Sequence, residues 1–284
     1  MLATFALLAL ATGALPPIDS ATSLLVVSPH PDDETLCCAG AMRRVLDAGG
    51  RVSVVWLTSG DGSELGMLIV EKSLLKPREK VRDLATKRMQ EARAATALLG
   101  VDPAQQFFLG YPDGGLMRLM TTNLKAPWPA KFTGETRVPY PDALFPGHPY
   151  TGESLERDLS AVLDRVHPTL ILAPMLADTH PDHAASAQAT IHVLTLRGQL
   201  PRARYWIVHD GEGWPKPRGH VAGIPLQSPR PGLLPFVLTD PEVDSKLQAV
   251  NAYHTQMQLM APFLLAFVRT NELYSTAPWE SRAR

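Results

Sequence analysis

Three short, unbroken apolar runs constrain this chain most: residues 23–28 (SLLVVS), 52–57 (VSVVWL) and 169–173 (TLILA). None alternates apolar with polar residues, and none is long enough for a helix. Such runs suit strands buried on both faces, as in parallel sheets covered by helices. Residues 106–109 and 204–208 read as two further strands. Helical patterns fall between them, over residues 34–48, from Pro77 to Leu99, and over 154–166 and 183–196. Residues 242–267 read as mostly helical, interrupted or kinked at Pro262. Glycines 49, 50 and 100 supply helix ends. Strands alternating with helices predict an α/β fold with a largely parallel sheet and right-handed crossovers. Residues 111–150 and 211–235 lack a period and are rich in Pro and Gly, so long loops are expected there.

Charge excludes one class of function. With 27 Lys and Arg against 28 Asp and Glu, the chain has no basic excess to neutralise a phosphate backbone, so no nucleic-acid partner is expected. Its only cysteines, Cys37 and Cys38, are adjacent. They read as small core residues that do not bridge each other, and they cannot build a Cys-rich zinc module. Residues 2–15 are almost wholly apolar or small, which matches the core of a signal peptide but is too short to span a bilayer. No Lys or Arg precedes Arg43, so the leader is atypical. The expected organisation is a signal peptide over 1–21, one domain over 22–284, export to the periplasm or medium, and no stable membrane span. A buried N-terminal helix in a cytoplasmic protein is the alternative.

Chemistry concentrates in two motifs. His30-Pro31-Asp32-Asp33-Glu34 follows the first apolar run, and His180-Pro181-Asp182-His183 follows the fourth strand. Both belong at the carboxyl ends of parallel strands, the edge where open α/β sheets bind ligands. If the two strands are neighbours, the motifs face each other. Two His and one carboxylate match the three protein ligands of a catalytic zinc and leave carboxylates spare for acid–base work. Taken singly, Asp32, Asp33 or Asp182 could only cap a helix. Taken together, two strand–His-Pro-Asp–helix units favour a site.

The pair of motifs resembles the signature of the PIG-L/LmbE-like family of zinc-dependent de-N-acetylases. The similarity continues through residues 57–62 (LTSGDG), Arg88 with Glu91, and residues 111–116 (YPDGGL), with a weaker echo in Lys246 and His254-Thr255-Gln256. The resemblance implies a Rossmann-like fold and one Zn²⁺ per chain, with Fe²⁺ as the other candidate, held by His30, Asp33 and His183. It implies Asp32 as general base towards a metal-activated water. His180 would stabilise the oxyanion or protonate the leaving amine, and Asp182 would orient His180. Arg88 and Asp113 match positions that contact the sugar. The implied substrate is a small or glycan-borne N-acyl amino sugar. The Pro-rich insert over 117–152 leaves the shape of the pocket open, and the oligomeric state is not legible.

Other features read as structural. Gly60, Gly62 and Gly66 lack the spacing of a dinucleotide loop, and Ser63 lies in no nucleophile elbow. Trp128, Tyr140, Phe145 and Tyr150 could stack on a sugar but are expected to pack the insert. His254 is expected on a helix surface. The rival functions are a non-catalytic metal- or carbohydrate-binding protein of the same fold, an amidase on a non-sugar amide, and a non-haem Fe(II) oxygenase. An Asp32 that is not needed as a ligand argues against the first.

Overall fold

The computed structural model describes residues 14–62, 78–211 and 213–278. Most of the apolar leader, Ser63, Gly66 and Pro77 lie outside them. In chain order the elements are β1 (Ser23–Ser28), α1 (Asp33–Asp47), β2 (Arg51–Thr58), α2 (Arg78–Leu98), β3 (Gln106–Tyr111), α3 (Leu116–Thr121) and α4 (Gly152–Val166). There follow β4 (Leu170–Pro174), α5 (Pro181–Leu196), β5 (Ala203–Trp206), β6 (Leu234–Val237), α6 (Asp240–Asn251), α7 (His254–Leu264) and β7 (Asn271–Tyr274). Among the described residues no helix is long and apolar enough to cross a membrane.

Strands β1 to β5 form one parallel sheet in the order β3-β2-β1-β4-β5. This is the Rossmann-like α/β arrangement. Each residue of β1 and β4 is buried, which is why neither strand alternates in sequence. β1 pairs with β4 in the register Leu24↔Leu170, Leu25↔Ile171 and Val26↔Leu172. The chain runs outward from β1 to β2 and β3, then returns to place β4 on the other side of β1. The crevice where strand order reverses therefore opens between the loops that carry the two His-Pro-Asp motifs.

Three sequence expectations change. The last helical stretch does break, but its main gap is at Ala252 and Tyr253, between α6 and α7. Tyr253 is buried there, with its hydroxyl on the Glu34 carboxylate. Pro262 sits inside α7, and Met260 leaves helical geometry at φ −144° two residues before it. A proline removes one helical hydrogen bond and crowds the preceding turn, so the distortion falls upstream of the ring. Second, β6 and β7 form an antiparallel pair that strand patterns did not reveal. Glu272 of β7 ties this pair to α1 and α6, accepting from Lys246 Nζ at 2.9 Å and from the Gly40 amide at 2.8 Å. Third, Cys37 and Cys38 are buried as expected, yet they are paired with each other as a vicinal disulfide, their Cα atoms 3.8 Å apart. Their sulfur atoms turn towards one another across the single peptide between them.

The insert packs as expected. Tyr140 and Tyr150 are buried, with hydroxyls on Asp61 at 2.7 Å and on the Gly110 carbonyl at 3.2 Å. Phe145 stacks on His148.

Candidate active site

The loop between β1 and α1 is held from beneath by Glu34. This fully buried carboxylate accepts from Trp56 Nε1 at 2.8 Å, Thr35 Oγ1 at 2.8 Å and the Asp32 amide at 3.2 Å. Asp32 stands at the N-cap position of α1 with φ 130°, a conformation that L-residues rarely adopt, and its side chain makes no capping bond. The capping explanation therefore fails for Asp32. Its carboxylate turns into a cleft and meets Arg88 Nη2 at 3.3 Å.

Asp33 gathers both histidines that the sequence pairs with it. Its Oδ2 accepts from the His30 amide at 3.0 Å and lies 3.1 Å from His30 Nδ1 and 3.1 Å from His183 Nε2. His183 is fully buried and held from its other side, with Nδ1 3.0 Å from Asp178 Oδ2. The same Asp178 oxygen accepts from the amides of Val208 and His209, so Nδ1 must donate to it. That leaves Nε2 to face the Asp33 carboxylate, 3.1 Å away but in no aligned hydrogen bond. A buried imidazole nitrogen aimed at one carboxylate, with the ring backed by a second, has the form of a metal ligand. His30, Asp33 and His183 thus fit a divalent ion that takes nitrogen and oxygen donors. Among the described residues three groups of donors, His30 with His180 and His183, Asp33 with His183 and His209, and His30 with Asp113 and Asp182, each keep their ligand atoms within 4.8 Å of one another.

Asp182 is not placed as expected. Its carboxylate accepts from the Gly114 amide at 2.6 Å and the Leu116 amide at 3.0 Å, and lies 3.3 Å from His30 Nε2. It fastens the turn before α3 to the start of α5 rather than orienting His180. His180 is oriented by the helix backbone: it is the N-cap residue of α5, and its Nδ1 accepts from the Asp182 amide at 3.3 Å. With Nδ1 accepting, the proton of a neutral His180 sits on Nε2.

Arg88 and Asp113 both line the cleft. Arg88 is buried and heavily engaged, donating to the carbonyls of Gly60 at 3.0 Å and Pro31 at 2.9 Å. Gln256, with its amide oxygen turned to the guanidinium, accepts from Arg88 Nε at 2.8 Å. Gly60, at φ +71°, lies so close under Arg88 that any Cβ would collide with the guanidinium. Asp113 lies 3.2 Å from His30 Nε2 and accepts from the Gly62 amide at 3.0 Å. Glu91 accepts from the Thr255 amide at 2.9 Å, which fixes the start of α7 beside the cleft. His254 is exposed, as expected, and Gln256 occupies the cleft wall.

Electrostatics separates the two adjacent carboxylates. Burial raises Asp32, and the Asp33 charge adds to it, bringing it up to about 8 against the opposing pull of Arg88. Burial acts the same way on Asp33, but His183 and His30 hold it well below the usual carboxylate range. Burial would lower His183, yet Asp178 and Asp33 lift it to about 10. Charges that favour a proton on this nitrogen also favour a metal ion. Burial, then His30 and His183, lower His180 to about 4 and so keep it neutral at pH 7.

Asp178 and His209 escaped the sequence reading. Asp178 stands two residues before His180 and could have been sought as a partner for a ligand histidine. His209 follows β5 with no motif around it.

Comparison with known proteins gives a consistent result. The model of the PIG-L family, described as GlcNAc-PI de-N-acetylase, matches residues 25–194. A 1D-myo-inositol 2-acetamido-2-deoxy-alpha-D-glucopyranoside deacetylase from Actinosynnema mirum is 27% identical over 255 residues, spanning 82% of this chain and 80% of its own. In overall fold the chain is similar to a conserved protein from Thermus thermophilus, at TM-score 0.56 and 21% identity over 92% of this chain and 98% of that one. It is also similar to an N,N'-diacetylchitobiose deacetylase from Pyrococcus horikoshii, at TM-score 0.54 and 20% identity over 88% and 82%.

Proposed function

The chain belongs to the PIG-L family, and from that premise we propose that it is a metal-dependent N-deacetylase that hydrolyses the N-acetyl amide of an amino sugar or its conjugate. One observation carries the proposal. The buried Nε2 of His183 and Nδ1 of His30 converge on one oxygen of Asp33, while Asp32 stands beside them free of any capping bond.

His30, Asp33 and His183 would hold the ion, and the donor set suits zinc, with Fe²⁺ the alternative. When bound, the ion would supply Lewis acidity towards water and the amide carbonyl. Asp32 takes the proton of the attacking water. Its raised proton affinity, from burial and from Asp33, suits it to accept that proton and to hold it. The proton then passes to the amide nitrogen as the C–N bond breaks, so that water and amide become carboxylic acid and amine. Neutral His180, with its proton on Nε2, donates a hydrogen bond to the developing oxyanion. Arg88 and Asp113 line the side of the cleft assigned to the sugar ring. Asp178 holds the His183 ring in the tautomer that binds a cation.

Export through the apolar leader belongs to the same proposal. Ala14 and Leu15 are buried against the core, so a cleavage that removes them would also remove packing. Mass measurement of the mature N-terminus locates the cut.

The functional test is metal content after dialysis and zinc reconstitution, followed by amine release from N-acetylglucosamine conjugates. About one zinc per chain together with metal-dependent amine release is expected. Folded, reconstituted protein that holds no metal and releases no amine would sink the proposal.

A further inference from the structure

The catalytic cleft, a cavity of about 280 Å³, continues into a second lobe of about 500 Å³. The lobes share His209, Met260 and Phe263. A row of rings leads from one to the other: His30 to His180 at 4.9 Å, His180 to His209 at 5.2 Å, and His209 stacked on Phe263 at 5.5 Å. The row ends with the Arg218 guanidinium 4.8 Å above the Phe263 ring.

This outer lobe is built rather than incidental. The Gly219 amide donates to the Pro262 carbonyl at 2.7 Å, tying the Arg218 loop to the kinked end of α7. Arg269, buried, reaches the Pro217 carbonyl at 2.6 Å and the Gly219 carbonyl at 3.1 Å from the other side. The loop is thereby held on both flanks of the residue that crowns the lobe. Its walls, Met260, Pro262 and Phe263, are apolar. Among the described residues Arg218 has no carboxylate partner, whereas Arg88, the other cation of the cleft, is buried in bonds to Pro31, Gly60 and Asp32. Among the described residues that line the two lobes, Arg218 is a positive charge without a carboxylate partner.

Resting on the deacetylase reading of the inner cleft, we propose that the outer lobe is a specificity subsite for an apolar-faced substituent that ends in an anion. The substituent packs on Phe263 and Met260, and its carboxylate or phosphate meets Arg218. An aromatic face beneath a guanidinium also suits a planar group, which can stack while its acid pairs with the fork. Such a substituent can belong to the substrate's aglycone or to its acyl group.

The test compares methyl, phenyl and 4-carboxyphenyl glycosides of N-acetylglucosamine, and in a second arm N-acetyl against N-glutaryl methyl glucosaminide. Wild-type and Arg218→Gln enzymes are assayed for kcat/KM. The expected result in one arm is a preference of about three- to tenfold for the anionic compound over its neutral partner, reduced to about one in Arg218→Gln. The arm that shows it identifies the aglycone or the acyl side. Phe263→Leu should lower the phenyl-over-methyl ratio. An anion preference absent from both arms, or unchanged by Arg218→Gln, overturns the proposal. Calorimetric binding of the same compounds reads the same ratio without turnover, so an enzyme that fails to deacetylate still decides the question. Anion preference that depends on Arg218 supports the subsite, and equal affinities refute it.

Discussion

Asp178 braces His183 from behind: Oδ2 of one and Nδ1 of the other are 3.0 Å apart, with both side chains buried. The brace sets which nitrogen of His183 faces Asp33. Replacing Asp178 with Asn weakens the acceptor and frees the ring to turn. Zinc affinity should fall about 10- to 100-fold, as for other partners of ligand histidines. Competition with a chromophoric chelator measures it, and an unchanged affinity would separate Asp178 from metal binding.

His183→Ala removes the nitrogen that faces Asp33. The variant should fold and retain no stoichiometric zinc after dialysis. Elemental analysis beside circular dichroism checks both halves of that statement. Full occupancy would mean that the ion rests on donors other than His183, such as His30 with Asp113 and Asp182.

Asp32→Asn keeps the shape of the site and removes the base. Turnover should drop by roughly 10²–10⁴-fold while zinc is retained. Asp32 acts in its ionised form, so activity should fall as pH falls through its pKa. Burial and Asp33 set that pKa high, at about 8, and a bound cation pulls it down. The acid limb of kcat/KM should therefore lie above the ordinary carboxylate range and below about 8. A limb within the ordinary range would assign the base to another group.

Asp182→Ala strands the Gly114 and Leu116 amides that its carboxylate now receives. The buried Leu116 amide left unsatisfied costs about 1–3 kcal/mol, so a clear fall in thermal midpoint is expected. Asp182→Asn, which keeps an acceptor oxygen, should recover part of it. Equal stability of wild type and Asp182→Ala would show that the turn is held by other contacts.

Sequence patterns located β1, β4 and both motifs because double-sided burial leaves an unbroken apolar run and a helix start follows each. They did not decide that β1 and β4 are neighbours. That pairing joins residues far apart in sequence, and only sheet topology brings His30 to His183. Asp178 was hidden for a related reason: its partners, the His183 ring and the Val208 and His209 amides, come from two different loops. Strands β6 and β7 are four residues each, and β6 is mostly exposed and contains Pro235, so neither strand announces itself. The resemblance pairs Asp182 with His180, whereas at the first turn of α5 its side chain points to the turn before α3.

The sheet order separates two kinds of change. The groups assigned to chemistry sit on loops after strands of the parallel sheet, and the outer lobe is made by α7 and the loop pinned by Arg269. Substitutions in the Arg218 loop leave the first untouched in sequence, whereas Gln256, Met260 and Phe263 of α7 also line the cleft. A protein divided in this way can be retargeted by exchanging one short loop, which makes the Arg218 region the natural place to diversify a library and His30 to His183 the part to leave alone.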